Sequence, residues 1–326
     1  MSLEHAIETA NKLKQKLSEV IRGREDTIKL VLTGLFANGH VLIEDYPGSG
    51  KTTLAKTLGK LIDCSSSNTG NVVPFRRIQF TPDLLPSDVL GVTIFEPNTS
   101  SFRFQHGPVF ANILLADEIN RTGPKVQAAF LECMAEKQVT IDNATYPLDD
   151  LFFVLGTQNP LDLAGTYPLP LVQLDRFLLK IPMSYVNAAT ELEILQESAE
   201  IEQKSKHSDP VVTRKDVINT QNESQQVRLS PNMLQAIVEI VQASRSNPQL
   251  IHGASTRAAI MLKRAISAWA IVEGRDYATE DDLKFIAPFV LKHRLKFAPG
   301  IDVNRPEVFA DLIRPQIEKL VRSAFA

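Results

Sequence analysis

The sequence predicts an α/β protein in which a parallel sheet is flanked by helices and followed by an all-helical domain. Three observations carry this. Short apolar runs alternate with helical stretches over roughly the first 187 residues. Runs without polar alternation suit strands buried on both faces, and strand–helix alternation suits parallel pairing. Beyond residue 187 every extended stretch reads as helix, with no strand expected.

In order along the chain, residues 3–20 form an amphipathic helix and "GREDTIKLVLTGLF" a packing helix. "HVLIE" (40–44) is a short buried strand, and "KTTLAKTLGKLI" is the helix after it. "NILLADE" (112–118) and "LFFVLGTQNP" (151–160) are buried strands with the helix "KVQAAFLECMAEKQ" (125–138) between them, and "RFLLKI" (176–181) is a further strand. In the second part, "ATELEILQESAEIEQ" has the acidic first turn that suits a helix start. The polar stretch that follows, through "QNESQQV", is expected to be mostly loop with a short helix. Ser230 caps a helix that has Pro231 at its first position. Gly274 stops the next helix, and Thr279 caps another.

The 326 residues allow two domains and a large core. A hydrophobic content of 44% and a net charge of -3 are those of a globular chain without a global basic field for nucleic acid. Cys64 and Cys133 lack metal-ligand spacing and are expected to be reduced thiols. His106 and His252 lack metal-ligand company, and Trp269 sits among apolar neighbours, so structural roles are expected for all three. The polar start has no signal-peptide core and no apolar run can span a bilayer, so a cytoplasmic location without membrane insertion is expected.

"EDYPGSGKTT" (44–53) departs from G-x-x-x-x-G-K-[ST] at one place, Asp45, where the pattern has glycine. The context is that of a phosphate loop. A strand runs into Asp45, Tyr46, Pro47, Gly48, Ser49 and Gly50, and Lys51, Thr52 and Thr53 open a helix. Loop and helix N–H groups can wrap phosphates, Lys51 supplies a cation, and Thr52 supplies a hydroxyl to Mg²⁺. Gly48 and Gly50 allow close backbone approach. Asp tolerates unusual backbone angles. Its charge would oppose a phosphate by roughly 2 kcal/mol at about 8 Å and an effective dielectric near 20, which Lys51, Mg²⁺ and the amides can outweigh.

Hydrolysis needs acids as well. "NILLADE" carries Asp117 to the Mg²⁺ end of the site and offers Glu118 to polarise the attacking water. Asn159 in "GTQNP" is a candidate for positioning that water, although an Asn before Pro160 also suits a turn. Arg176 in "QLDRF" and Arg257 in "GASTRA" lie beside element ends. Each is either a surface arginine or one that neutralises transition-state charge.

Together "EDYPGSGKT", "FRRIQFTPDLLPSDVLG", "GPVFANILLADEINR", "GTQNP", "GTYPLP…QLDRFL" and "GASTRA…GRDYATEDD" resemble the MoxR family of AAA+ ATPases over nearly the whole chain. That family also carries forms of the loop reading "ED" before the proline. The resemblance implies an AAA+ P-loop NTPase core over 1–187, with a helix-2 insert around 81–108, and an all-α lid over 188–326. It makes Lys51 and Thr52 Walker A, Asp117 and Glu118 Walker B, and Asn159 sensor 1. Arg176 becomes the arginine finger acting on a neighbour's nucleotide, and Arg257 becomes sensor 2, serving its own or a neighbour's nucleotide. Ile21 and Gly23 in "VIRG" would lie near the adenine, and the insert would face a ring pore. Ala164 and Leu171 stand where the family often has glutamate.

An outward-aimed arginine finger acts only in an assembly, and a closing head-to-tail contact makes a ring, expected here to be a hexamer. The expected function is ATP hydrolysis with Mg²⁺, driving remodelling or maturation of protein clients. Metal or cofactor insertion and a separate von Willebrand factor A (VWA) domain partner are implied by the resemblance. The alternatives are an ATP-dependent switch or scaffold with little turnover, a chelatase-type subunit, and a nucleic-acid motor. Near-neutral charge and the lack of a DNA-binding module count against the last. Arg121 is a candidate contact to a neighbouring subunit or to nucleotide.

Overall fold

The computed structural model describes residues 2–45, 48–65, 72–159, 165–301 and 306–324. Tyr46, Pro47 and Ala164 lie outside the described residues, as does the side chain of Asp45.

The chain begins with α1 (Leu3–Ser18) and α2 (Glu25–Phe36). Ala6, Ala10, Leu13 and Leu17 of α1 recur at the spacing of one helix face, and all are buried. Then follow β1 (His40–Asp45), α3 (Lys51–Leu61), the short β2 (Ile62–Asp63) and β3 (Val73–Gln79). Residues 81–108 hold α4 (Pro86–Leu90) and the antiparallel hairpin β4 (Gly91–Glu96)–β5 (Ser101–His106). Next come β6 (Ala111–Asp117), α5 (Pro124–Glu136), the hairpin β7 (Gln138–Ile141)–β8 (Ala144–Pro147), β9 (Phe153–Gln158), α6 (Leu171–Leu174) and β10 (Phe177–Met183).

Five strands form one sheet in the order β10-β1-β9-β6-β3, and every pairing is parallel. Their side chains alternate between two cores, as a period of two requires. Val41, Ile43, Ile113, Leu115, Phe153 and Leu155 face one core, with α1, α2 and α3. Leu42, Leu114, Ala116 and Val154 face the other, with Phe130 and Met134 of α5. All seven residues of β6 are buried, so the sheet is covered on both faces, as expected.

The second part is not purely helical. Helices α7 (Ala188–Gln196) and α8 (Ser198–Lys206) replace the single helix expected there, because the backbone turns at Glu197 (φ -96°, ψ 8°). Then come β11 (Val212–Thr213), α9 (Arg214–Ser224), α10 (Pro231–Ser246), β12 (Leu250–His252), α11 (Thr256–Val272), α12 (Glu280–Leu291), β13 (Lys296–Phe297) and α13 (Pro306–Ala324). β11 pairs with β2, and β12 pairs with β13. These strands are two or three residues long, too short to show periodicity. The expected caps are present: Ser230 accepts from the Met233 N–H, and Thr279 forms a capping box with Asp282. Gly274 follows α11 with φ +77°, which suits a helix stop.

The first core runs on into this second part, through Leu262, Ile266, Ile286 and Val290. Polar ties cross as well. Arg294 Nε donates to Asp175 Oδ1 (2.8 Å), and the Arg264 guanidinium donates to the carbonyls of Ala37 and Asn38. Trp269 is buried against Phe285, and His106 packs on Phe110. Cys64 and Cys133 are free and buried, and burial pushes both thiols up, Cys64 to about 11. Among the described residues no helix is long and apolar enough to cross a membrane.

His40 opens β1 and is buried. Its Nε2–H donates to the Met134 carbonyl (3.1 Å), and its Nδ1 accepts the Val154 N–H (3.1 Å). Both nitrogens are used by the neutral ring, and burial lowers its pKa from 6.5 to about 4. The folded-state value is depressed for a base, so the unfolded chain binds the proton first as pH falls. This contribution is present above about pH 6.5 and is lost towards about pH 4, amounting to roughly 3 kcal/mol in total. Urea unfolding should show wild type losing about 2 kcal/mol more than His40→Gln between pH 6.5 and 5. Equal slopes for the two proteins would refute this.

Candidate active site

In a parallel sheet all strands end at one edge, and open α/β sheets bind ligands there. Here that edge gathers the end of β1 with its loop, Gln79, Asp117, Glu118, Gln158 and Asn159. Asp45 is the last residue of β1, paired with Met183. Gly48 and Gly50 have φ of +82° and +91°, and a Cβ built on either would meet nothing within 4 Å. The loop therefore borders open space, in a conformation that suits glycine. Gly50 leads directly into α3, so the first N–H groups of that helix face the same space. Ser49 is buried, while Lys51, Thr52 and Thr53 are half-buried on the first turn of α3.

Asp117 is only 2% exposed. Its Oδ1 accepts from the Thr157 hydroxyl (2.7 Å) and lies 3.4 Å from Lys51 Nζ. Its Oδ2 accepts from Arg77 Nε (3.1 Å) and Nη2 (2.7 Å). Burial by itself would raise the carboxyl. The Thr157 hydroxyl, Arg77 and Lys51 outweigh burial and hold it below the usual carboxylate value. Glu118 follows in the left-handed region (φ +57°, ψ 50°), uncommon outside glycine and costly unless its surroundings hold it. Its N–H donates to Thr157 Oγ1 (2.9 Å). Its Oε2 accepts from Gln79 Nε2 (2.7 Å) and pairs with Arg121 Nε (3.0 Å). Arg121 thus sits against Glu118 of its own chain. Beside them Glu44 pairs with Lys180 (2.7 Å) and accepts from Gln158 (2.6 Å).

The donor set fits a magnesium nucleotide. A buried, ionised carboxylate, a threonine hydroxyl and a lysine flank an open glycine cradle. Among the described residues no cluster of three or more His, Cys, Asp or Glu could hold a metal. Mg²⁺ does not need one, since it binds through one or two side chains with phosphate and water oxygens.

The other sequence candidates lie elsewhere. Arg176 immediately precedes β10, whose first residue, Phe177, pairs with His40. It therefore stands at the amino edge of the sheet, about 20 Å from the loop at roughly 3.3 Å per residue along β1. Asp175 joins Arg257 to the same edge, with Arg257 Nε 3.8 Å from its Oδ2. The structure thus places Arg176 and Arg257 at the same edge of the sheet, opposite the chain's own Lys51 and Asp117. Ile21 is buried. Gly23, at φ +66°, lies so close to α7 that a Cβ would come within 2.5 Å of Thr190. Arg22 between them pairs with Glu197 (2.8 Å). Leu171 is half-buried and opens α6.

Sequence inspection missed Arg77, Gln79 and Thr157. Thr157 lies within "GTQNP", where only Asn159 drew notice. Arg77 and Gln79 sit on β3, a strand not recognised, although two polar residues at a spacing of two facing "NILLADE" were the available signal.

Thr157→Val keeps the shape but removes the hydroxyl that donates to Asp117 Oδ1 and leaves the Glu118 N–H without its acceptor. Urea unfolding at pH 7 should show a loss of about 1–3 kcal/mol. Thr157→Ser, which keeps the hydroxyl, should recover most of it.

Two family models match the chain: "ATPase family associated with various cellular activities (AAA)" over residues 40–179, and the AAA lid domain over residues 242–312. The chain is 45% identical over 291 residues to the uncharacterised protein YeaC of Bacillus subtilis, covering 88% of this chain and 87% of that protein. It is 35% identical over 320 residues to chaperone MoxR1 of Mycobacterium tuberculosis, covering 93% and 81%. A crystal structure of a protein from Cytophaga hutchinsonii, described there as a candidate ATPase, superposes with a TM-score of 0.80 at 39% identity, covering 98% of this chain and 96% of that one. With these relatives and the sheet, cradle and acid pair described above, the chain belongs to the AAA ATPases and is homologous to the MoxR chaperones.

Proposed function

We propose that this chain hydrolyses ATP as a MoxR-type motor and works as a closed ring, a hexamer, in which each nucleotide is completed by the next copy. The observation that carries this is the division of the site. Lys51, Thr52, Asp117 and Glu118 lie at the carboxyl edge of the sheet, and Arg176 and Arg257 at the amino edge. An arginine about 20 Å from its own loop, as Arg176 is, suits a second copy docked head to tail, and Arg257 lies beside it.

Within one site the loop from Asp45 to Gly50, with Tyr46 and Pro47, and the first turn of α3, with Thr53, cradle the phosphates. Lys51 binds their oxygens. Ile21 and Gly23 border the base. Thr52 and Asp117 would hold Mg²⁺, which when bound neutralises charge on the phosphate oxygens. Glu118 orients a water and takes its proton as the oxygen attacks the γ-phosphorus, and Asn159 steadies that water. The bond to the β–γ bridging oxygen breaks, ADP leaves, and the proton passes on with phosphate. Arg176 and Arg257 of the adjoining copy neutralise the charge that develops. Before this, Glu118 must leave Gln79 and Arg121.

We further propose that a core over 1–187 and a lid over 188–326 move against each other during turnover. The β4–β5 hairpin would meet the client in the ring pore. It exposes Phe95 (53%) and Phe102 (74%) as an edge-to-face cross-strand pair with ring centroids 5.3 Å apart. Clients would be cytoplasmic proteins undergoing maturation, including metal or cofactor insertion, with a VWA-domain protein as partner. A second reading, a switch with little turnover, draws on the hold of Gln79 and Arg121 on Glu118.

Phosphate release from Mg-ATP, measured against protein concentration, tests the motor. Specific activity should rise with concentration. Glu118→Gln and Arg176→Ala should each lose at least about 100-fold while still binding nucleotide. ATP binding without release at any concentration would favour the switch.

A further inference from the structure

Asp117 already holds a cation. Arg77 reaches its Oδ2 twice, through Nε (3.1 Å) and Nη2 (2.7 Å), while Lys51 and Thr157 occupy Oδ1. The Arg77 side chain is 46% exposed and that of Asp117 only 3%, so the guanidinium closes the carboxylate from the solvent side. The same Nη2 donates to Gln79 Oε1 (2.6 Å), and Gln79 Nε2 donates to Glu118 Oε2 (2.7 Å). Strand geometry sets this chain of contacts. Gln79 lies opposite Asp117 in the β3–β6 register, and Arg77 stands two residues earlier, on the same face.

We propose that Arg77 is a placeholder cation. It neutralises Asp117 while the nucleotide is absent and leaves Oδ2 when the metal nucleotide arrives. As it leaves, it lets go of Gln79 and so loosens the hold on Glu118. This rests on the reading that Asp117 receives the metal. Lys51 and Thr157 attend only Oδ1, and a buried carboxylate oxygen left without a donor is disfavoured, which accounts for Arg77 on Oδ2 beforehand. The two cations compete for the oxygen. Mg²⁺ requires oxygens at about 2.0–2.1 Å in a near-octahedral shell, and a guanidinium on the open side of Oδ2 blocks that approach and repels the ion. Being half exposed, Arg77 has solvent to swing into. Its departure couples metal arrival to release of the water-activating carboxylate.

The test is binding of a fluorescent ADP derivative to the full chain, followed by anisotropy in EDTA and across a Mg²⁺ titration. Wild type, Arg77→Gln, Arg77→Lys and Asp117→Asn are compared. Arg77→Gln should bind within about twofold of wild type in EDTA, and its half-saturating Mg²⁺ concentration should fall roughly three- to tenfold. Arg77→Lys, which keeps the charge but loses the two-point hold, should fall between and carries the test if the glutamine variant does not fold. An unchanged or raised Mg²⁺ midpoint overturns the proposal. So does weakening in EDTA as large as in Mg²⁺, which would mean that Arg77 contacts phosphate directly. If Asp117→Asn keeps the full Mg²⁺ enhancement, the assignment of the metal to Asp117 fails, whatever Arg77 does.

Discussion

The common direction of five parallel strands is the constraint on which the rest depends. Because β1, β3, β6, β9 and β10 all run the same way, their carboxyl ends meet at one edge. Residues far apart in sequence thereby become neighbours: Glu44 touches Gln158, 114 positions on, and Lys51 approaches Asp117. The same polarity sends Arg176 and Arg257 to the opposite edge. The two-faced core makes this rigid, since a one-residue slip of β6 would exchange Ile113 and Leu115 with Leu114 and Ala116 between cores and misplace Asp117.

At the carboxyl edge the structure retains an arrangement that is costly on its own terms. Asp117 is charged and buried, and Glu118 adopts a left-handed backbone without being glycine. Each is tolerated because its neighbours hold it. Thr157 serves both, donating to Asp117 and accepting from the Glu118 N–H, while Arg77 and Lys51 balance the charge. Turning the chain sharply after β6 aims two successive acids in different directions, one into the sheet end and one towards Gln79 and Arg121. At the other edge the Asp175 carboxylate lies between buried Arg294 and exposed Arg257, so the segment bearing Arg176 is gripped by the helical part of its own chain.

The sequence was legible where the signal was local. "HVLIE", "NILLADE" and "RFLLKI" are central or edge strands deep in apolar surroundings, and composition alone marks them. The glycine loop and the acid pair were equally plain, since their chemistry lies in consecutive residues. β3 escaped because it is an edge strand of mixed exposure that contains Pro74, Arg76 and Arg77, residues that weaken a strand signal. The pairs β2–β11 and β12–β13 escaped because strands of two or three residues have no period to detect. The break at Glu197 carries neither proline nor glycine, so nothing in the local sequence announced it.

What the sequence by itself determined is the central strands and the helices between them, the caps at Ser230 and Thr279, the glycine loop and the identity of the acids at the end of β6. These depend on side-chain type and on spacing within one turn or one strand, which the covalent chain sets directly. Only the tertiary structure decided which groups meet. Arg77 on Asp117, Gln79 on Glu118 and Thr157 between the two acids are products of strand register. The separation of Arg176 and Arg257 from their own loop is a product of strand direction. Register and direction arise when distant segments pack together, and no window of the sequence contains them.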